Sequence, residues 1–182
     1  AMLMIEIDGS QSEIQCSIND ILAACKTAGL ICANQVDNPT ALWQARKTLS
    51  PLLREIAPKK INEDIVVPVT TLPEFFTNLT YLCAQYHLAN VNFGHVGNGN
   101  IHVNLLIDPD DTSQAIQAEQ CLDEIFNLVI KLRGTLSGEH GIGCEKRAFL
   151  TKEIDDNTLN LMKNVKHLFD PNNILNPGKI FP

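Results

Sequence analysis

The sequence lacks the features that place a chain in a membrane, outside the cell or on a nucleic acid. It has no apolar run of the ~18 residues that a membrane-spanning helix needs, and no basic-then-apolar leader typical of a signal peptide. Lysine and arginine total 14 against 21 acidic residues, and the net charge is −7. This balance disfavours a surface that follows nucleic-acid phosphates. We therefore expect a cytoplasmic protein without nucleic-acid partners, either free or peripheral to the inner membrane.

Cysteine pairs of the CxxC kind are also missing. The cysteines are scattered, at Cys16, Cys25, Cys32, Cys83, Cys121 and Cys144. A disulfide framework is not expected in a chain of 182 residues without a secretory signal. We interpret these residues as free, mostly structural thiols in a reducing compartment. Internal repeats and low-complexity tracts are absent too, and the composition, 45% apolar, is that of an ordinary globular domain.

Helix and strand signals alternate along the chain. Helix beginnings are predicted by capping boxes at Ser10/Glu13 and Thr71/Glu74, by Asn38-Pro39, and by DPDD at 108–111. Ser50-Pro51 repeats the start signal and predicts a break, and a last helix is predicted over 157–168. Strands are predicted over 3–8, 30–36, 64–70 (an edge strand because of Pro68), 91–96 and 101–107. This order indicates an α+β domain, an antiparallel sheet with helices packed on one face.

The stretch FGHVGNGNIHVN, residues 93–104, places two histidines around a glycine-rich turn. Asn98-Gly99 is a strong signal for a two-residue type I′ turn, which would pair His95 with His102. Paired residues have Cβ atoms about 4.5–5.5 Å apart, so the imidazoles would converge as ligands of a divalent metal do. Histidines that bond only each other or water are an alternative. A phosphate-binding glycine loop is a weaker one, because such loops precede a helix.

A second cluster, SGEHGIG at residues 137–143, places Glu139 and His140 side by side in a glycine-framed loop. Neighbouring side chains in an extended loop point in different directions, so one could complete a metal site while the other takes a substrate proton. His95, His102 and Glu139 would be the three protein ligands typical of a catalytic metal site with an open position. A loop that merely ends a helix with two exposed polar residues is the alternative.

Three segments resemble one known family. GHVGNGNIH, SGEHGIG and the C-terminal LFDPNNILNPGKIF resemble the C-terminal domain of FAD-linked oxidases and dehydrogenases of the vanillyl-alcohol-oxidase type, in the same order along the chain. The group includes D-lactate dehydrogenase, the glycolate oxidase D subunit and D-2-hydroxyglutarate dehydrogenase. The resemblance implies a ferredoxin-like substrate-binding (cap) domain over 1–133, and a catalytic loop, helix and tail over 134–182. It also implies a preceding FAD-binding domain that this sequence does not contain, so we expect a fragment that is inactive alone.

The resemblance further implies roles for single residues. His95, His102 and Glu139 correspond to ligands of a divalent metal, zinc or manganese. His140 corresponds to the base that takes the 2-hydroxyl proton while a hydride leaves for the flavin. The residues that correspond to substrate contacts are Arg46 and Ser50 in LWQARKTLS, Lys60 and Asn104. The implied reaction oxidises a 2-hydroxy acid of the D-lactate, glycolate or D-2-hydroxyglutarate type to the 2-oxo acid. The implied partners are that acid, the FAD-binding domain, an electron-acceptor protein or quinone, and a second copy in a homodimer.

One position departs from the family pattern. The usual motif is GHxGDGNxH, whereas this chain has Asn98 in place of the aspartate. A turn accepts either residue, so we expect metal binding to be kept with one charge fewer nearby. Two other functions stay open: a non-catalytic module that binds a small acid or a partner, and a metallohydrolase with the same three ligands. His87 and His167 lie on or at the ends of predicted helices, and we expect neither to be a ligand.

Overall fold

The computed structural model describes residues 1–36 and 38–182, which divide into two units, Ala1–Lys47 and Thr48–Pro182. Helix α1 (Gln11–Ala24) lies in the first unit, and α2 (Thr40–Ile56) begins there and ends in the second. The second unit continues with β1 (Lys59–Val66), α3 (Leu72–Gln85), β2 (Ala89–His95), β3 (Asn100–Ile107), α4 (Thr112–Lys131), α5 (Leu150–Glu153) and α6 (Asp156–Phe169). None of the helices in the described ranges is long and apolar enough to cross a membrane. The boundary predicted between residues 133 and 134 stays a prediction.

The first unit contains a helix that the sequence predicts and lacks two strands that it predicts. Helix α1 begins at the capping box of Ser10 and Glu13, where the Glu13 carboxylate accepts a 3.0 Å hydrogen bond from the Ser10 N–H. The strands predicted over 3–8 and 30–36 are wrong, because both segments are irregular. An alternating segment needs a neighbouring strand for its backbone hydrogen bonds, and among the described residues the sheet pairs only strands of the second unit.

Helix α2 continues through Ser50-Pro51, so the predicted break is wrong. The helix starts where predicted, since Asn38 Oδ1 accepts a 3.0 Å hydrogen bond from the Thr40 N–H. Proline removes one helical hydrogen bond and crowds the carbonyl four residues earlier. The turn after it holds Leu53, which is only 4% exposed. Burial of this leucine offsets the local cost, and the helix is not interrupted.

Three antiparallel strands form the sheet, in the order β1-β3-β2. Strand β1 lies at an edge, but the bounds predicted for it, 64–70, are wrong, because the strand covers Lys59–Val66, ends before Pro68 and is followed by a 3₁₀ turn at Val69–Thr71. Strand β3 is central, and every one of its residues is buried. An isolated bridge joins Thr135, beyond α4, to Val66. The order β-α-β-β-α with this bridge follows the β-α-β-β-α-β pattern of ferredoxin-like folds.

Helices α3 and α4 cover one face of the sheet, which confirms the predicted α+β architecture. Alternate residues of β3 enter the core: Ile101, Val103, Leu105 and Ile107. The helices add Phe75, Leu79 and Cys83 from α3 and Ala118, Cys121, Ile125, Phe126 and Val129 from α4. The cysteines are free, as expected, and two of them are part of this core. The opposite face of β3 carries polar side chains, and the candidate site lies there.

The helix signals of the second unit are confirmed in part. Asp111 caps α4 as the DPDD run predicts, accepting hydrogen bonds of 2.9 and 3.2 Å from the backbone N–H groups two and three residues on. The capping box predicted at Thr71 and Glu74 is not formed, because the Thr71 hydroxyl donates to the Pro68 carbonyl at 2.8 Å. Helix α6 covers the helix predicted over 157–168, whereas the short α5 has no clear signal in the sequence.

Asp170 closes the turn that follows α6. Its carboxylate accepts 2.9 Å hydrogen bonds from the N–H groups of Ile174 and Leu175, and a further one from the ammonium group of Lys166. The hydrogen bond from Lys166 is the main cause that lowers the pKa of Asp170 below its usual value. The C-terminal segment is therefore tied to the end of α6 by one ionised side chain.

Candidate metal centre

The connection between β2 and β3 is longer than the two-residue turn that the sequence predicts. A 3₁₀ turn covers Val96–Asn98, and Gly99 closes it with a φ of +76°. The N–H of Val67 donates a 3.2 Å hydrogen bond to the Gly99 carbonyl, so the loop is docked against the end of β1. A Cβ on Gly99 would lie 2.0 Å from the Val67 carbonyl oxygen, and this close approach requires glycine.

The longer loop shifts the strand register by two residues. His95 lies opposite Asn100, and His102 lies opposite Phe93, so the predicted pairing of His95 with His102 is wrong. Side chains alternate between faces with a period of two, and a shift of two residues therefore leaves each one on its predicted face. The two histidines still converge, as diagonal neighbours whose ring centroids are 5.8 Å apart.

Glu139 joins the two histidines from the loop that follows α4. Its Oε1 lies 3.2 Å from Nε2 of His102 and 4.0 Å from Nε2 of His95. One ligand atom from each of the three residues lies within 4.8 Å of the other two. The His102 side chain is 9% exposed, whereas those of His95 and Glu139 are 45% and 49% exposed. The group is therefore anchored at the sheet and open to solvent on one side.

The chemistry of this group fits a divalent metal. Two imidazole nitrogens and one carboxylate oxygen are ligands that zinc takes, and three protein ligands leave a position for water or substrate. Zinc–nitrogen and zinc–oxygen bonds of about 2.0–2.2 Å put neighbouring ligand atoms about 3–4 Å apart. Burial lowers the pKa of His102; Glu139 opposes this effect, while His140 and His95 add to it. The neutral imidazole that this shift favours is the form that binds metals.

His140 lies beside the group, with its ring stacked on that of His102 at a centroid distance of 5.4 Å. Nε2 of His140 lies 4.0 Å from Oε1 of Glu139, and Nδ1 lies 3.5 Å from Oδ1 of Asp64. The side chain is 48% exposed, so a small molecule can reach the ring from solvent. An imidazole with one nitrogen at a buried carboxylate and the other at an open site can accept a proton from a bound molecule.

Asp64 and Lys146 belong to the site, although neither is predicted from the sequence. Asp64 lies on β1 directly opposite His102 and is fully buried. Its Oδ2 accepts hydrogen bonds of 2.5 and 2.8 Å from the backbone N–H groups of Glu139 and His140. Lys146, only 3% exposed, donates to the same carboxylate. The only signal in the sequence is Asp64 itself, a charged residue at the head of an apolar, β-branched run.

The two neighbouring carboxylates of β1 have opposite pKa shifts. Burial by itself raises the pKa of Asp64, but hydrogen bonds from Lys146 and from two backbone N–H groups outweigh it and lower the pKa to about 2. Burial raises the pKa of Glu63, and this effect exceeds the opposing one of Lys146. The carboxylate of Asp64, which lies beneath the site, is therefore firmly ionised.

Two of the predicted substrate contacts, Lys60 and Ser50, lie together. The ammonium group of Lys60 donates to the Ser50 hydroxyl and, at 3.4 Å, to its carbonyl. Burial lowers the pKa of Lys60, and the charge of Arg54 adds to this effect. Lys60 precedes Asp64 by four residues on the same face of β1, which is about 13 Å at ~3.3 Å per residue. The pair thus flanks the candidate metal group rather than touching it.

The other two predicted substrate contacts have different surroundings. Asn104 is fully buried on the site face of β3, where its Nδ2 donates to the Val91 carbonyl at 2.9 Å and its Oδ1 accepts a 2.7 Å hydrogen bond from Asn62. Its amide thus holds the three strands together beneath the site. Arg46 is an exposed residue of α2 in the first unit, outside the group assembled in the second.

The sequence of the chain matches a family of known proteins. A model of the family described as FAD linked oxidases, C-terminal domain, matches residues 1–180. The chain belongs to this family. The convergent histidines and Glu139 are therefore features of an FAD-linked oxidase C-terminal domain, and the resemblance carried by the three sequence motifs is confirmed.

Three relatives show which known proteins this FAD-linked oxidase domain is similar to. Glycolate oxidase subunit GlcD of Bacillus subtilis is 34% identical over 184 residues, which cover 100% of the chain and 39% of the relative. Glycolate oxidase subunit GlcD of Escherichia coli K12 is 32% identical over 185 residues, which cover 100% of the chain and 37% of the relative. D-2-hydroxyglutarate dehydrogenase of Xanthomonas citri pv. viticola is 36% identical over 146 residues, 77% of the chain and 30% of the relative. The chain thus spans less than two fifths of the length of these relatives.

Proposed function

We propose that this chain is the substrate- and metal-binding part of an FAD-dependent dehydrogenase that oxidises a 2-hydroxy acid to the 2-oxo acid. The observation that carries the proposal is the convergence of His95, His102 and Glu139 beside His140. Membership of the FAD-linked oxidase family supports the flavin chemistry. Glycolate and D-2-hydroxyglutarate, which are named in the relatives above, and D-lactate, which is named in a further relative, a D-lactate dehydrogenase, are the proposed class of substrate.

In this proposal His95, His102 and Glu139 hold a divalent metal, zinc or manganese. When bound, the metal supplies Lewis-acid chemistry, since it attracts the oxygens of a hydroxy acid and makes the hydroxyl more acidic. His102 is the fixed ligand because the sheet buries it, whereas His95 and Glu139 border the open side. The open side is where a substrate would enter.

His140 is the proposed base. It accepts the 2-hydroxyl proton at Nε2, the ring nitrogen that does not face Asp64. When bound, FAD would supply the hydride acceptor, and loss of one proton to His140 and one hydride from C2 would turn the alcohol into a carbonyl group. The stack of His140 on His102 keeps the ring flat against the site and limits its rotation.

The remaining charges suit the carboxylates of a hydroxy acid. Lys60, oriented by Ser50, offers an ammonium group on the same face of the sheet. A second, distal carboxylate, as a dicarboxylate substrate carries, is the proposed partner of Lys60 on the family resemblance. Arg46 and Asn104 are included as substrate contacts on the family resemblance alone.

The proposal is tested on the complete gene product, purified without a histidine tag or chelator. We expect about one zinc or manganese per chain by mass spectrometry, and about a tenth of that or less in His102→Ala. His167→Ala is the matched control, because His167 is an exposed histidine of α6 and should leave the metal content unchanged. In a panel of glycolate, D-lactate and D-2-hydroxyglutarate, dye reduction should fall about 10²–10⁴-fold in His140→Ala at unchanged FAD content.

Two outcomes would contradict the proposal. A protein that holds FAD and metal but reduces no dye with any 2-hydroxy acid would favour the non-catalytic module. Hydrolysis of an ester or amide by the flavin-free chain, abolished in His102→Ala, would favour a metallohydrolase instead.

A further inference from the structure

Asp64 gathers hydrogen-bond donors from the loop that carries Glu139 and His140. Its Oδ2 accepts from the backbone N–H groups of both residues, at 2.5 and 2.8 Å. Its backbone carbonyl accepts a 3.2 Å hydrogen bond from the N–H of Gly138. The hydroxyl of Ser137 lies 3.4 Å from Oδ1. Three consecutive N–H groups of the loop are therefore directed at one residue of β1.

Lys146 fixes the same loop from its other side. Its ammonium group is buried and donates to the Asp64 carboxylate, to the Asp64 carbonyl at 3.0 Å and to the Leu136 carbonyl at 2.7 Å. Oε2 of Glu63 lies 3.4 Å away. An ammonium group has three donors, and all three are engaged here. Lys146 thus joins the start of the loop, at Leu136, to the strand that holds Asp64.

The arrangement also places a carboxylate behind the ring of His140. Nδ1 of that ring faces Asp64, and Nε2 faces Glu139. A carboxylate at one nitrogen of an imidazole favours the tautomer with the proton on that nitrogen and leaves the other nitrogen free to accept a proton. Asp64 touches neither the candidate metal ligand atoms nor the open side of the site, so it acts through the residues that do.

We propose that Asp64, held by Lys146, is the positioning residue of the site: it fixes the backbone of Glu139 and His140 and orients the His140 ring. The inference rests on the proposed function for the roles of Glu139 and His140 as metal ligand and base. The hydrogen bonds by which Asp64 positions these two residues do not require a bound metal or flavin. The ion pair is buried, and removal of one partner leaves an uncompensated charge. The pair therefore couples the sheet, which carries His102, to the loop, which carries the third ligand.

The test compares Asp64→Asn and Lys146→Met with a surface ion pair of the same residue types, Asp123 and Lys152, whose atoms lie 3.0 Å apart. Titration of the metal-free chain with Zn²⁺ should show about 10–100-fold weaker binding in Asp64→Asn and in Lys146→Met. Asp123→Asn and Lys152→Met should bind as the wild type does. Amide hydrogen exchange should accelerate at Glu139 and His140 in the first two variants alone. A purely structural role would lower the melting temperature without this local pattern.

A variant that fails to fold does not leave the inference untested. The triple variant Glu63→Gln/Asp64→Asn/Lys146→Met removes the ammonium group together with both carboxylates that it contacts, and we expect the same weakening of Zn²⁺ binding in it. Nitrogen NMR of the wild-type chain at pH 8 gives a further readout: the neutral His140 ring should carry its proton on Nδ1. Wild-type Zn²⁺ affinity and unchanged exchange in Asp64→Asn would overturn the inference, as would a proton on Nε2.

The same experiment separates the two proposals. If the wild-type chain binds no metal, the proposed metal site fails, while amide exchange and the His140 tautomer still decide whether Asp64 positions the loop. If the wild type binds metal and the Asp64 and Lys146 variants bind it equally well, the metal site stands and the positioning role falls.

Discussion

Gly97 and Gly99 lie two residues apart in the β2–β3 loop, in very different surroundings. A Cβ on Gly99 would meet the Val67 carbonyl oxygen at 2.0 Å, and its φ of +76° disfavours any L side chain. A Cβ on Gly97 would have no atom within 4 Å. The same one-carbon change therefore has different consequences at the two positions.

We expect Gly99→Ala to lower the free energy of unfolding by at least about 2 kcal/mol, from backbone strain and from overpacking against a backbone atom that cannot move aside. Gly97→Ala should change it by no more than about 0.5 kcal/mol. Urea denaturation of both variants measures the difference. Equal stability of the two would show that the loop does not depend on its contact with Val67.

The site residues divide into those that local sequence predicts and those that it does not. His95, His102, Glu139 and His140 lie in glycine-rich motifs. The convergence of His95 and His102 could be predicted because a hairpin fixes which side chains share a face, whereas Glu139 and His140 were joined to them by the count of metal ligands and by the family resemblance. Asp64 and Lys146 are separated by 82 residues and meet through the tertiary fold alone. A charged residue inside an apolar strand shows only that some partner must exist. It does not show where along the chain that partner lies.

At the scale of helices and strands, some local signals were sufficient for prediction, whereas the capping box at Thr71 and Glu74 and the break at Ser50-Pro51 were not. The caps of α1 and α4 were sufficient, because a few neighbouring side chains determine each of them. The register of β2 and β3 was not, since a contact between Gly99 and Val67 sets the length of the loop. The strands expected over 3–8 and 30–36 failed for the same reason: a strand exists only with a partner.

The turn after α6 gives a prediction on pH. The pKa of Asp170 is lowered in the folded chain, so this carboxylate stabilises the turn at neutral pH. The stabilisation is present above the unfolded pKa, near 3.9, and is lost as the pH falls towards the folded value. We expect protection from amide exchange at Ile174 and Leu175 to disappear in this acidic range. In Asp170→Asn it should be absent at neutral pH already.

The control for this measurement is Asp156→Asn, at the opposite end of α6. Asp156 is an exposed residue of the first turn, and its loss should leave the protection of Ile174 and Leu175 as it is in the wild type. Ile174 and Leu175 could instead be as well protected in Asp170→Asn at neutral pH as they are in the wild type. That result would show that the backbone, and not the charge of Asp170, holds the turn.

At the scale of the whole molecule, burial is unevenly shared between the two units. Within residues 1–36 and 38–47 no side chain is buried, whereas the whole core cluster lies in the second unit. The histidine and acidic residues of the candidate site also lie there: His95, His102, His140, Glu139 and Asp64. Apolar residues of the first unit such as Leu3 and Ile31 are 60% and 97% exposed. The first unit therefore adds little to the free energy of folding through burial.

A chain limited to residues 48–182 should consequently fold alone. We expect a single cooperative transition in thermal unfolding, because the sheet and its covering helices are complete in it. Its Zn²⁺ affinity should lie within about twofold of that of the full chain, since the truncation touches no proposed ligand. A broad, non-cooperative transition, or metal binding lost on truncation, would show that the first unit is needed for the core.

The long separation of Asp64 and Lys146 has a consequence for biosynthesis. When Asp64 leaves the ribosome, 82 further residues must be made before its counter-ion exists, which takes about 4–16 s at 5–20 residues per second. Strand β3 is complete well before that, so the sheet can pair while this carboxylate is still hydrated. Burial of the carboxylate then waits for the loop and Lys146. A nascent or prematurely terminated chain that ends before Lys146 would expose the unpaired edge of β1. Chaperones and proteases recognise this kind of surface.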